Sequence, residues 1–174
     1  MIATHLTFIL LLLIPIGMHS QPTRTISTDQ EKIDQTIQEL FKAICFKKDT
    51  ATNMRDLIPI FIEGGLLIDY NGEAPIVLTV GDFVDDFEGR VRQGLIQSLD
   101  DREVRSFTSI YGKIAHRTSY YEARHSEADP EPFARGVNSI QLIRESDSWK
   151  VASMSWNDDT GMGFFLDTPC GGAN

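Results

Sequence analysis

The sequence predicts an α+β domain, with helices laid against one face of a curved antiparallel sheet. Two observations carry this expectation. In the stretches 29–48 and 79–95 the apolar residues recur at spacings of three and four, the stripe of helices with one buried face. From Ile96 onward the period shifts to two, which is the alternation of strands with one covered face. Helices followed by a run of strands indicate an α+β arrangement. A strongly bent sheet closed by a helix forms a cone whose open mouth is a natural pocket. The 174 residues suit one domain, 41% hydrophobic residues supply a core, and 24% charged residues exclude a disordered composition.

Leu6 to Ile16 is apolar apart from Thr7, and polar His19, Ser20 and Gln21 follow it. This run is shorter than the roughly 20 residues that span a bilayer. It reads as the hydrophobic region of a secretory signal peptide over residues 1–20, although the first five residues hold no Lys or Arg. The expected destination is therefore secreted or periplasmic, with no membrane attachment after cleavage. Residues 21–28 read as a polar, flexible leader.

Thr28 or Asp29 can cap the first helix. Ile33, Ile37, Leu40, Phe41, Ile44 and Cys45 form its stripe, and Lys47-Lys48 suit its end. A short second helix is expected from Asn53 to Ile60. Gly64-Gly65 breaks the pattern, Leu66 to Tyr70 reads as a short strand, and Asn71-Gly72 marks a turn. Pro75 to Thr79 is a brief extended piece. Thr79 opens another helix, with Asp82, Asp85 and Asp86 near its start and Phe83, Val84, Phe87, Val91 and Leu95 on one side. Strands follow at about 102–112, 113–125, 135–145 and 148–156, with an acidic loop at 126–132. The domain is thus expected over 29–158. The tail at 159–174 carries an apolar centre, Phe164-Phe165-Leu166, able to dock on the domain.

The net charge of −9 and the absence of any basic run longer than Lys47-Lys48 argue against nucleic acid and anionic lipid as partners. Cys45 and Cys170 either pair, tying the first helix to the tail, or remain free thiols. Neither lies in a CxxC pair, and His116 and His125 fall on opposite faces of one strand. The sequence therefore points to no metal site and to no cofactor. There is no phosphate-binding loop, nucleophile elbow, dinucleotide fingerprint or HExxH motif.

The strand at 113–125 carries most of the chemistry. Ala115, Arg117, Ser119, Tyr121 and Ala123 alternate with His116, Thr118, Tyr120, Glu122 and Arg124, and neither set is wholly apolar. Glu122, Arg124 and Arg135 form either a clamp for a ligand or an ion-pair ladder across strands. On the next strand Asn138 and Gln141 can orient a polar ligand. Gly136, Asn138, Ile140 and Leu142 look like its core-facing set. His116 can act as a general base near neutral pH, or be a paired structural residue. Asp69 is either a buried carboxylate able to abstract a proton, with Tyr121 as its electrophilic partner, or a turn residue. Trp149 reads as core, in alternation with Val151 and Ser153 against Lys150, Ala152 and Met154. Trp156 reads as lining the pocket mouth or a dimer contact.

The stretch from Gly112 through Ser119-Tyr-Tyr-Glu122, Arg124, Phe133, Arg135-Gly136 and Asn138-Ser-Ile-Gln141 to Trp149-Lys-Val resembles the C-terminal half of nuclear transport factor 2-like proteins. It looks like their polyketide-cyclase-like, uncharacterised bacterial branch. Upstream, FIEGGLLIDYNGEAPIVLTVGDF is similar to the family's short strand, turn and third helix. The resemblance spans roughly residues 30–158. It implies the cone-shaped fold and a homodimer formed through the sheet. It leaves open a small-molecule-binding domain, an acid–base lyase or isomerase on a small apolar or carbonyl substrate, and a non-catalytic interaction module. The binding residues expected are Tyr121, Glu122, Arg124, Asn138, Gln141 and Trp156. Asp69, His116 and Tyr121 are the catalytic candidates, and Tyr121→Phe and Glu122→Gln are expected to weaken ligand binding more than folding.

Overall fold

The structure, a computed structural model, describes residues 28–159. The expected signal peptide, most of the leader, the apolar centre of the tail and Cys170 lie outside the described residues.

Helix α1 (Asp29–Ile44) starts on a reciprocal cap. The Thr28 hydroxyl accepts from the Glu31 amide at 3.2 Å, and the Glu31 carboxylate accepts from the Thr28 amide at 2.6 Å. Ile33, Ile37 and Leu40 are almost wholly buried on its inner face. The helix stops at Ile44, earlier than the basic pair at 47–48 suggests. Beyond it the chain turns extended, and Phe46 exchanges two 2.9 Å backbone hydrogen bonds with Leu99. This bridge, and the packing of the Phe46 ring on Phe87, outweigh one more helical turn. A 3₁₀ helix at Met54–Ile60 follows, close to its expected bounds.

Strand β1 (Phe61–Asp69) is longer than expected, because Gly64-Gly65 lies within it as an irregularity in register rather than before it. Strand β2 (Ile76–Thr79) leads through the Thr79 cap into α2 (Val80–Arg92). Gly94 adopts a left-handed φ of 74° and ends that helix. Leu95, expected on the helical stripe, is therefore released to a rim position. Strands β3 (Asp100–Tyr111), β4 (Ile114–Arg124), β5 (Ala134–Glu145) and β6 (Ser148–Asp158) form an antiparallel meander.

The sheet has six strands in the order β2-β1-β6-β5-β4-β3. The α+β cone is as the sequence predicts, with one correction. The sheet is mixed, because β1 pairs parallel with β6. The register shifts at three places: in β1 between Phe61 and Leu66, in β3 at Val104, and in β6 at Ala152. Such irregularities bend a strand and increase its twist, and here they curl the sheet around α1. The extra residue at Ala152 also reverses the alternation of β6. Trp149 and Val151 face the core, as expected, but beyond the bulge it is Met154, Trp156 and Asp158 that turn inward, while Ser153 turns out.

Two polar anchors fix α1 in the cone. Arg117, 5% exposed, grips Glu103 with two guanidinium nitrogens, reaches Asp34 on α1 at 2.7 Å and donates to the Thr108 hydroxyl at 2.9 Å. At the first residue of the helix Asp29 accepts from the Trp149 indole at 3.1 Å and from Arg144 at 3.0 Å. The Trp149 hydrogen bond, and then Arg144, hold the Asp29 carboxyl below its ordinary range.

Candidate functional site

Residues directly opposite on paired strands share a face, so the register maps the inner wall in rows. One row runs Glu103, Tyr121, Gly136, Asp158. The row toward the mouth is Asp101, Ala123, Ala134. The row toward the apex is Ser106, Ser119, Asn138, Trp156 and Asp69. The small alanines leave space above Asp101. Alpha-helix α2 sets Phe83 and Phe87 opposite this wall, with the Phe83 ring edge-on to Trp156 at 6.0 Å. A cavity of about 790 Å³ results, with apolar sides from Leu57, Leu67, Phe83, Phe87 and Met154. Two further grooves, of about 540 Å³ beside the β5–β6 turn and about 720 Å³ between α1 and β3, are lined mainly by polar side chains. Only the first of these three spaces combines a large apolar wall with a cluster of convergent polar groups, the signature of a small-molecule site.

Gly136 organises the polar end. A Cβ there would lie 2.4 Å from the Tyr121 hydroxyl and 2.5 Å from the Asn157 carbonyl oxygen. With no side chain beneath it, the phenol ring lies across β5 and its hydroxyl donates to the Asp158 carboxylate on β6. A glycine inside a strand often marks such a close approach. Tyr121 is 5% exposed. Burial first, then the Asp158 hydrogen bond and the Asp101 and Asp69 charges, push the phenol above its ordinary pKa, so it keeps its proton.

Asp101 is the most perturbed carboxyl of the cavity. Its Oδ1 is buried without a hydrogen-bond partner. Burial, assisted by the Asp100 and Asp158 charges, pushes it from 3.8 up to about 7, against the opposing pull of a backbone hydrogen bond from Arg102. The backbone of Asp101 also meets Cys45, whose Sγ lies 3.2 Å from both its N and its O. Burial raises the Cys45 thiol, which makes it a poor nucleophile. Asn138, 2% exposed, lines the cavity with an amide nitrogen that has no partner.

Tyr121, Asn138, Trp156 and Asp69 therefore converge on one cavity. Asp69 is also the turn residue of the second expectation, since its carboxylate accepts from the Asn71 amide at 2.8 Å. The other expected residues lie elsewhere. Glu122 and Arg124 occupy the outer face, because alternation turns them away when Tyr121 turns in. There Glu122 binds Arg124 at 2.7 Å, Arg102 at 3.2 Å and Arg135 at 3.2 Å, which is the ion-pair ladder rather than a clamp. His116 also faces out, with its Nε2 at 3.0 Å from the Ser139 hydroxyl, and Gln141 sits exposed directly opposite it. Asp101 and Asp158 were missed because the expected strands, 102–112 and 148–156, stop short of the strand ends that carry them. Gly136, a glycine inside a strand pattern, was the available signal.

No family model and no curated protein sequence matches the chain. Solved structures do match it. A protein of unknown function with a cystatin-like fold from Nostoc punctiforme superposes with a TM-score of 0.60 at 12% identity, covering 76% of this chain and 92% of its own. A nuclear transport factor 2-like protein with a cystatin-like fold from Novosphingobium aromaticivorans gives 0.59 at 14% identity, covering 76% and 83%. A candidate ketosteroid isomerase from Parabacteroides distasonis gives 0.53 at 13% identity, covering 74% and 86%. The chain thus has the nuclear transport factor 2-like fold. Identities this low speak to the fold and leave the chemistry to the site.

Two outcomes are expected. Gly136→Ala drives the Tyr121 ring off β5, lowers stability by about 1–3 kcal/mol in chemical denaturation, and shifts the Tyr121 ring resonances in NMR spectra. For Glu122 the three arginines act in the opposite sense to burial. Arg124 first, then Arg102 and Arg135, lower its carboxyl from 4.5 to about 2. Its folded-state value is depressed, so its contribution is present above 4.5 and is lost as the pH falls through about 2. Denaturation curves of Glu122→Gln should lack this acid-limb loss, and the cavity's affinity for a bound probe should not change.

Proposed function

We propose that this chain is a small-molecule-binding domain whose cavity moves protons on an apolar carbonyl compound, as an isomerase or a lyase. The observation that carries the reading is the Asp101 carboxyl, set in an apolar cavity with a buried oxygen that no protein group satisfies. A carboxyl pushed up to about 7 can both take and return a proton near neutral pH.

Asp101 as carboxylate removes a proton from the carbon beside the carbonyl. The C–H electron pair becomes the carbon–carbon double bond of an enolate, and charge moves to the carbonyl oxygen. The unpartnered amide of Asn138 is the donor available to that oxygen. In a β,γ-unsaturated compound the proton then returns from Asp101 to the γ-carbon as the carbonyl reforms and the double bond moves to the α,β position; in a compound with a leaving group on the β-carbon that group departs with its electron pair as the carbonyl and an α,β double bond form. Tyr121 is a positioning residue here, since its proton is committed to Asp158.

A second reading, binding without turnover, is favoured by that same hydrogen bond, which removes the phenol from the donors an enolate needs. Export through the segment at 1–20 belongs to this proposal too. So does a homodimer through the outer face of β3 and β4, where Phe107, Tyr111 and Ile114 are exposed.

The test is deuterium exchange of a ketone, for instance 2-decalone, in D₂O followed by proton NMR. The protein should accelerate loss of the α-proton signals, with a rate that rises as the pH passes about 7 and Asp101 ionises. Asp101→Asn should lower the acceleration by about 100-fold or more. No acceleration over buffer, or full acceleration by Asp101→Asn, sinks the catalytic reading.

A further inference from the structure

Part of the apolar lining of the cavity stays open to solvent. Ile76, Leu95 and Phe133 all line it and are 55%, 71% and 55% exposed. They come from three separate segments: β2, the turn after α2 and the approach to β5. Apolar side chains grouped around one opening and left wet mark a surface that something else covers.

The described residues end on this same wall. Strand β6 runs antiparallel to β5, with Asp158 opposite Gly136 and the Asp159 amide donating to the Arg135 carbonyl. Continued in that register, positions 160 and 161 fall opposite Ala134 and Phe133, both of which line the cavity. The chain therefore leaves β6 toward the mouth. The sequence that follows is Thr160-Gly-Met-Gly163 and then Phe164-Phe165-Leu166. Two glycines in four residues suit a reversal of direction over the rim. Phe164 lies five residues beyond Asp159, a reach of up to about 17 Å. That exceeds the about 10 Å between packed layers, so the apolar triplet comes within range of the cavity. Residues 160–174 carry one charged side chain, Asp167, directly after the triplet. Three large apolar residues in a row gain more from an apolar wall than from water.

The other apolar segment outside the described residues, Leu6 to Ile16, joins the fold elsewhere. It leads into α1 at Asp29, which is held by Arg144 and Trp149. Arg144 stands ten residues along β5 from Ala134, about 33 Å away. The C-terminal segment starts at the mouth, and the N-terminal one starts at the opposite end of the strand.

We propose that Phe164, Phe165 and Leu166 of the same chain dock in the cavity and occupy it until a ligand displaces them. The tail is then a built-in competitor. It lowers the apparent affinity for a ligand by the fraction of molecules in which it is docked. This goes beyond the function read above. It requires a cavity open to apolar groups, and it does not require proton transfer at Asp101.

The test is methyl NMR of the full chain beside its Phe164→Ser/Phe165→Ser/Leu166→Ser variant. The Leu57, Leu67 and Met154 methyl resonances of the cavity are expected to shift in the variant, while those of Ile33 and Val151 in the core stay in place. Titration with the uncharged dye Nile red should show about tenfold tighter binding to the variant, as for a tail docked in about nine molecules of ten. Cavity methyls that do not move, or no gain in dye affinity, overturn the proposal. Methyl differences that fade when the wild type is diluted assign the occupant to a second copy and overturn it too. So do the same shifts in Leu11→Ser/Leu12→Ser/Leu13→Ser without them in the tail variant, which place the N-terminal segment there instead. Ketone exchange by the wild type is measured apart from these readouts, so the failure of one reading leaves the other standing.

Discussion

The contact on which the site depends is the Tyr121 ring lying across the bare backbone of Gly136 to reach Asp158. It links three adjacent strands on the inner wall in a single row. Any larger residue at 136 lifts the ring. The hydroxyl then loses Asp158, and the carboxylate loses the neutral donor that lets it stay inside. A buried polar group of this kind is tolerated only when it is partnered. The row also sets the depth of the cavity, because Asp101 on one side and Asn138 on the other are placed relative to it by strand register.

The curvature that makes room for this row comes from register irregularities rather than from long loops. Val104 in β3, Ala152 in β6 and the Gly64-Gly65 stretch in β1 each add residues to one strand of a pair. The bend lets α1 fill one half of the concave face while the other half stays open to α2. Arg117 then locks the filled half, by joining Glu103 and Thr108 of β3 to Asp34 of α1. Removing one partner of such a buried ion group is costly, which gives the closed half a rigidity that the apolar contacts alone do not supply.

Much of this was legible in the sequence, and the misses share a cause. The apolar stripe of Ile33, Ile37 and Leu40 and the two-residue period of β4 and β5 gave the elements and the core-facing set of β5 that holds Asn138. Alternation alone did not say which face of β4 lines the hollow, so Glu122 and Arg124 stayed as candidates although they form a ladder outside. The bulge at Ala152 was invisible because a single extra residue leaves no mark in composition, yet it decides that Trp156 and Asp158 point inward. Strand ends are the least certain part of any pattern reading, and both overlooked carboxylates sit at strand ends. The parallel pairing of β1 with β6 is a long-range choice that no local period encodes.

The central claim is that the cavity holds one carboxyl poised to exchange a proton near neutral pH. Its folded value lies above the unfolded one, so the stabilisation it gives is complete below 3.8 and is lost as the pH rises through about 7. The direct measurement is a carbon-13 NMR titration of the Asp101 side-chain carboxyl, assigned by comparison with Asp101→Asn. The account predicts a midpoint near 7. A midpoint in the ordinary aspartate range, about 4, would contradict it.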